Sequence, residues 1–249
     1  MFYYYELNNW KIYIVKEVDS TMDEIKKDIY SSHSNALLMA FKQNKGRGRK
    51  SNKWISDLGN LFLSIKLCNF KRSKIFIFNY LIGIIVYDTI SFFLKKKNDI
   101  YIKWPNDILI GNKKIAGILI DIITSGNELS NLYLGIGLNT KFASLAKEYK
   151  TTSLRAEGAK EIPRKKILKK LIYYFNYWET VLKNKSPAFI IENWMNRSFP
   201  INSFISFKNN NNIIKGVYRG INIDGSINIS VKGKESKFYS LETLAQWNI

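Results

Sequence analysis

A chain of 249 residues, 46% hydrophobic and 24% charged, is long enough for one sizeable core plus a small appended domain, and its composition is globular rather than disordered. Cys68 is the single cysteine, so no intrachain disulfide can form, and the opening residues lack a basic segment followed by an apolar core and cleavage site; a reducing cytosol is the expected location. The net charge of +19 would attract polyanions, yet only seven of 39 basic residues are arginine and the lysines are scattered, which argues for solvated surface rather than a specific DNA-reading face.

Tyr3–Val15 has the aromatic and β-branched content of strand, with a turn at Asn8-Asn9, and Asp19-Ser20-Thr21 offers a helix start before Met22 and Ile25. Ala36–Phe41 reads as a buried strand that delivers the chain into Gln43–Lys53, a loop with almost no apolar content. Leu61–Leu67 reads as another strand. Ile75–Leu94 is apolar enough to be mistaken for a membrane span, but Asn79, Asp88 and Thr89 interrupt it and fit a helix packed inside a protein.

Ile100–Lys103 is a strand stopped by Pro105. Ile108–Ile110, a Gly111-Asn112 turn and Ile115–Ile123 form the strongest hairpin signal, with Asn131–Gly137 as a neighbouring strand. Pro163 opens a helical pattern in which Ile167, Leu171, Phe175, Trp178 and Leu182 share one face. After Phe199-Pro200 the character changes to short strands, Phe204–Phe207, Ile213–Tyr218, Ile227–Val231 and Lys237–Ser240, separated by turns. These suggest a small barrel or sandwich, with a boundary near Asn202 that divides the chain into residues 1–201 and 202–249.

Three segments carry chemistry. Gly46-Arg47-Gly48-Arg49 combines a backbone able to close on an anion with planar donors for phosphate or carboxylate, although basic glycine turns also occur on ordinary surfaces. Lys103-Trp104-Pro105-Asn106-Asp107 ends a strand in an amide and a carboxylate, which could serve Mg²⁺ or phosphate, or simply cap the turn. Lys114 then begins an apolar strand with Gly117 close behind, a pairing that suits a cleft lysine beside a close backbone approach and equally a solvent-facing lysine beside a packing glycine.

In order along the chain, Ser20-Thr21, Gln43, GRGR at 46–49, Trp54, KWPND at 103–107, KIAG at 114–117, GIGLN at 135–139, Thr152-Ser153-Leu154 and GINIDG at 220–225 resemble the biotin–protein ligases. The resemblance spans nearly the whole sequence. It implies an α+β fold, a mixed β-sheet catalytic domain with packed helices followed by a small SH3-like β-barrel. It also implies ATP-dependent formation of biotinyl-adenylate and transfer of biotin to a lysine of a biotin carboxyl carrier protein of a biotin-dependent carboxylase.

By the same resemblance Ser20, Thr21, Gln43, Gly46, Arg47, Lys114 and Gly117 bind biotin. Arg49, Trp54, Asn106, Lys114 and Asn139 bind ATP or the adenylate, Asp107 holds Mg²⁺, and Lys114, Arg49 and Arg47 offset charge in catalysis. The chain departs from the family pattern in three places: Met22 replaces the usual asparagine, Ser51 a usual glycine, and Ser240-Leu241-Glu242 an SGE-like ending. The resemblance allows a homodimer. Ser20-Thr21 lies too close to Met1 for a preceding winged-helix domain, so neither operator DNA nor a membrane is an expected partner. A lipoate or octanoate ligase is the rival reading.

Overall fold

The computed structural model describes residues 2–7, 9–30, 35–49, 52–56, 58–71, 74–94, 99–125, 129–143, 149–160, 162–209, 212–239 and 242–248. Ser51, Ser240 and Leu241, three of the positions that depart from the family pattern, lie outside them. The chain divides into two compact units: Met1–Ile75 with Ile115–Ala146 and Thr151–Arg164, and Phe76–Lys114 with Lys147–Lys150 and Lys165–Ile249.

In the first unit β1 (Phe2–Leu7) and β2 (Trp10–Val18) form an antiparallel hairpin turned at Asn9, whose φ of 65° is a left-handed conformation that asparagine tolerates. The chain then passes through a short helix, α1 (Thr21–Glu24), and a single 3₁₀ turn at Asp28–Tyr30, so β3 (Ala36–Gln43) returns parallel to β2. Antiparallel pairings add β4 (Leu61–Lys71), β8 (Leu129–Leu138) and β7 (Lys113–Ser125). Ala36–Ala40 is buried throughout, as a central strand covered on both faces should be. Met22 of α1 and Ile25, which follows the helix, pack with Tyr13, Tyr30, Leu38 and Tyr133. Burying each large apolar side chain contributes about 1.5–3 kcal/mol, which fixes α1 to the sheet despite its length.

The second unit contains α2 (Ile75–Phe93), the hairpin β5 (Ile100–Lys103) and β6 (Asp107–Ile110), and the helices α3 (Arg164–Asn184) and α4 (Pro187–Met195). Strand order in the eight-stranded sheet is β1-β2-β3-β4-β8-β7-β6-β5. By length and hydropathy α2 could cross a bilayer, but 61% of its apolar window is buried inside the protein. Its Asp88 accepts hydrogen bonds from Trp178 Nε1 at 2.8 Å and Arg197 Nε at 2.9 Å, the pairing a carboxylate on a buried helix needs.

The terminal strands correct the expectation of a barrel. β9 (Phe204–Asn209), β10 (Asn212–Ile221), β11 (Ile227–Val231), β12 (Lys234–Phe238) and β13 (Glu242–Asn248) form an open antiparallel sheet in the order β12-β11-β10-β9-β13. Closure would require the two outer strands to pair, and β12 instead carries Lys234, Glu235 and Lys237 along a largely exposed strand. Charged side chains of this kind mark a solvent-facing edge. The architecture is a mixed α+β fold with two open sheets.

Candidate functional site

Two clusters of the expected residues form, one in each unit. In the first, Gln43 at the end of β3 is locked by hydrogen bonds. Thr21 donates to its Oε1 from both the backbone N–H at 2.7 Å and Oγ1 at 2.9 Å. Ser64 Oγ, fully buried on β4, donates to Thr21 Oγ1 at 2.9 Å. On the other side Gln43 Nε2 donates to Ser56 Oγ at 2.9 Å, and Ser56 donates to the Trp54 carbonyl at 3.1 Å. The chain of donors runs in one direction, so the orientation of the Gln43 amide is fixed rather than free to flip.

Ser20, the residue before this chain, is 2% exposed and makes no capping bond to α1. Its Oγ is buried with no hydrogen-bond partner. A buried hydroxyl in this condition costs about 1–3 kcal/mol, and a bound polar ligand is a straightforward source of compensation.

The GRGR segment is an ordered turn. Lys45 N–H donates to the Asp19 carbonyl at 2.7 Å, Gly48 N–H to Asn52 at 2.7 Å, and Trp54 N–H to Gly46 at 2.9 Å. Gly46 is required by close approach, because a Cβ there would collide with the Trp54 carbonyl and the Ser56 hydroxyl. Gly137 lies beneath the Trp54 indole in the same way, and directly opposite it in the sheet is Gly117. Gly135 receives Met22, whose side chain is 3% exposed and turned into the core. The departure at Met22 therefore adds apolar packing, and the polar contacts come from Thr21, Ser64 and Ser56.

Arg47 is ion-paired to Asp23 and, at 2.8 Å, to Asp121, which also holds Lys26 at 2.8 Å. The guanidinium is 40% exposed, so these bonds are weak enough for an anionic ligand to displace. Arg49 is half-buried in the same turn. Asn139 is 1% exposed, and its amide nitrogen donates to the Thr152 carbonyl at 3.0 Å, fixing the chain beyond β8.

In the second unit Lys103 and Asp107 face each other across the β5–β6 hairpin, with Asn106 half-buried in the turn between them. Lys114 places its Nζ 2.7 Å from Asp107 Oδ1 and 5.0 Å from the centre of the Tyr149 ring, while its backbone N–H donates to Lys150. Burial pushes the Lys103 ammonium below its ordinary value, with Asp107 opposing the shift and Lys114 adding to it. Lys114 is thus ion-paired to Asp107, and the buried Lys103 lies within the field of both groups. No group of three or more His, Cys, Asp or Glu side chains is present among the described residues. Asp107 is the carboxylate of this cluster and could serve a Mg²⁺ only as one ligand among others.

Sequence reasoning missed Ser64, Ser56, Asp23 and Asp121, and it named Lys103 only as part of KWPND, with no role of its own. The signal for Ser64 was a hydroxyl within an otherwise apolar buried strand.

The first unit thus holds a locked polar cradle beside a buried hydroxyl, and the second holds a hairpin turn in which a lysine is ion-paired to a carboxylate. Residues 14–139 match the biotin/lipoate A/B protein ligase family. The chain belongs to this family. It is 25% identical over 223 residues to the biotin–[acetyl-CoA-carboxylase] ligase of Paracoccus denitrificans, covering 86% of this chain and 92% of that one. To the bifunctional ligase/repressor BirA of Salmonella typhimurium it is 23% identical, covering 92% of this chain and 72% of that one. The fold matches the biotin protein ligase of Aquifex aeolicus, solved in complex with biotin and ATP, with a TM-score of 0.78 at 23% identity over 97% of this chain and 100% of that one.

Proposed function

We propose that this member of the family is a cytoplasmic biotin–protein ligase that joins biotin to a lysine of a biotin carboxyl carrier protein through biotinyl-5'-adenylate. The observation that carries the choice of biotin is the locked Gln43 with the partnerless Ser20 hydroxyl beside its donor chain. A ureido ring offers a carbonyl and two N–H groups to such a cradle, whereas the dithiolane of lipoate offers none. Sites built to hydrogen-bond a substrate strongly reject analogues that leave their groups unpaired.

Residues 1–201 are assigned to catalysis and 202–249 to an appended sheet. Ser20, Thr21, Gln43, Gly46 and Gly117 receive biotin. In the first step a biotin carboxylate oxygen attacks the α-phosphorus of ATP, the bond to pyrophosphate breaks, and a mixed anhydride forms. Arg47 exchanges Asp23 and Asp121 for the new anionic group, Arg49 closes the turn over it, and Lys114 offsets charge on the acyl phosphate. Trp54, Asn106 and Asn139 serve the nucleotide side. Asp107 orients Lys114 and is the carboxylate that Mg²⁺ on the phosphates would meet; the ion, when bound, neutralises phosphate charge. In the second step the carrier's lysine amine attacks the acyl carbon, loses a proton and expels AMP. Cys68 has no part in this chemistry.

Equilibrium titration with biotin and lipoate separately, followed by biotin-dependent ATP–pyrophosphate exchange, tests the proposal. Biotin binding without lipoate binding, together with exchange, supports it. Lipoate binding without biotin binding overturns it.

A further inference from the structure

The GINIDG segment has no role in the proposed chemistry, yet its turn is closed by several hydrogen bonds. Asn222 N–H donates to the Ser226 carbonyl at 2.9 Å and Gly225 N–H to the Asn222 carbonyl at 3.1 Å. Ser226 donates to Asp224 Oδ1 from its backbone at 3.0 Å and from its hydroxyl at 2.6 Å. Gly225 has φ +87°, and a Cβ there would sit 2.6 Å from the Phe76 ring, so the turn is both conformationally specific and pressed against α2. One helical turn along α2, the fully buried Tyr80 donates its hydroxyl to the Asn222 carbonyl at 2.8 Å. Phe76 and Tyr80 lie at i and i+4, on one helix face, and hold the turn at two points.

The turn makes one outgoing contact that matters for the site: the Gly225 carbonyl accepts from Trp104 Nε1 at 3.1 Å. Trp104 is 3% exposed and follows Lys103 in the segment that leads to Asp107. A buried indole donor needs an acceptor, and this acceptor belongs to a turn that cannot easily follow if the indole moves.

We propose that Trp104 is a positioning residue: through Gly225 the 222–226 turn fixes the Lys103–Asp107 hairpin end, and with it the ammonium–carboxylate group that receives the nucleotide's phosphates. The proposal rests on the ligase reading above. Trp104 touches no substrate in this account. Its effect is transmitted by the short turn it occupies, and it falls on ATP rather than biotin because Lys103, Asn106 and Asp107 belong to the phosphate side.

The test compares three single substitutions in the full chain. Trp104→Phe keeps an aromatic ring and deletes the donor; Tyr80→Phe deletes the second bond to the same turn; Trp178→Phe deletes an indole bond of similar length, to Asp88 at 2.8 Å, elsewhere in the unit. Trp104→Phe should raise KM for ATP about tenfold, the loss expected when a part-buried hydrogen bond is deleted, with KM for biotin unchanged. Tyr80→Phe should shift KM for ATP in the same direction, and Trp178→Phe should lower thermal stability without a selective ATP defect. Equal rises in both KM values, or an ATP defect reproduced by Trp178→Phe, would reduce Trp104 to a packing residue and overturn the proposal.

Amide hydrogen exchange reads the same strap independently of catalysis. Faster exchange at residues 103–107 and 222–226 in Trp104→Phe supports it, and unchanged exchange there overturns it. Should the wild-type chain show no biotin-dependent exchange of pyrophosphate, the ligase reading fails while the amide measurement still decides the strap.

Discussion

Thr21→Val removes a hydroxyl at nearly constant shape and therefore tests the donor chain directly. Thr21 Oγ1 makes two bonds of 2.9 Å, accepting from Ser64 and donating to Gln43, while the backbone N–H of residue 21 keeps its own bond to Gln43 at 2.7 Å. The substitution leaves the fully buried Ser64 hydroxyl without that acceptor. Losing one bond and stranding one buried group should cost about 2–3 kcal/mol. For a chain of this size that lowers Tm by about 4–12 °C. Gln43 would also lose one of the three bonds that orient its amide, and biotin affinity should fall about tenfold or more, as when a directed hydrogen bond is lost. Thr21→Ser keeps the hydroxyl and should retain most of the affinity. Scanning calorimetry gives the stability change, and titration calorimetry with biotin gives the affinity. Biotin affinity equal to wild type in Thr21→Val despite a lowered Tm would show that the chain is structural and does not orient Gln43 for the ligand.

Lys114→Met removes the ammonium that faces Asp107 at 2.7 Å and should reduce biotin-dependent pyrophosphate exchange by about 10²–10³-fold, as measured for lost charge-stabilising donors. Arg49→Gly should retain some adenylate synthesis but release the adenylate about tenfold to a hundredfold faster, seen by rapid quench and by biotin on bystander lysines; Arg49→Lys should rescue this only in part. The Asp224 carboxyl is pulled from its ordinary 3.8 to about 2, chiefly by the Ser226 hydroxyl and then by its backbone N–H. Its stabilisation is therefore complete above the ordinary value and lost as pH falls through about 2, so Asp224→Asn should flatten the dependence of Tm on pH across that interval.

Much of the scaffold was legible because its signals are local. The Gly111-Asn112 turn between apolar runs marks β6 and β7, and the apolar face Ile167, Leu171, Phe175 and Trp178 marks α3, in which all four are buried. α4 was missed although Ser186-Pro187 is a helix start; the Ser186 hydroxyl accepts from Phe189 N–H at 3.4 Å. The open form of the terminal sheet was not legible, since which outer strands pair depends on long-range register.

The same division holds at the site. The motifs pointed to Gln43, Gly46 and Lys114, but the partners that orient them come from residues distant in sequence. Ser64 is 43 residues from Thr21, and Asp121 is 74 residues from Arg47. Met22 could be recognised as a departure from the family, but only its packing against Gly135 shows that the side chain belongs to the core.

Transfer of biotin to a carrier is read by intact mass spectrometry of a recombinant biotin carboxyl carrier domain. With the chain, biotin and Mg·ATP all present, the domain should gain one biotin increment, and omission of any component should leave its mass unchanged. A carrier mass that stays unchanged with every component present, or an increment that appears with lipoate in place of biotin, would show that the chain is not a biotin–protein ligase.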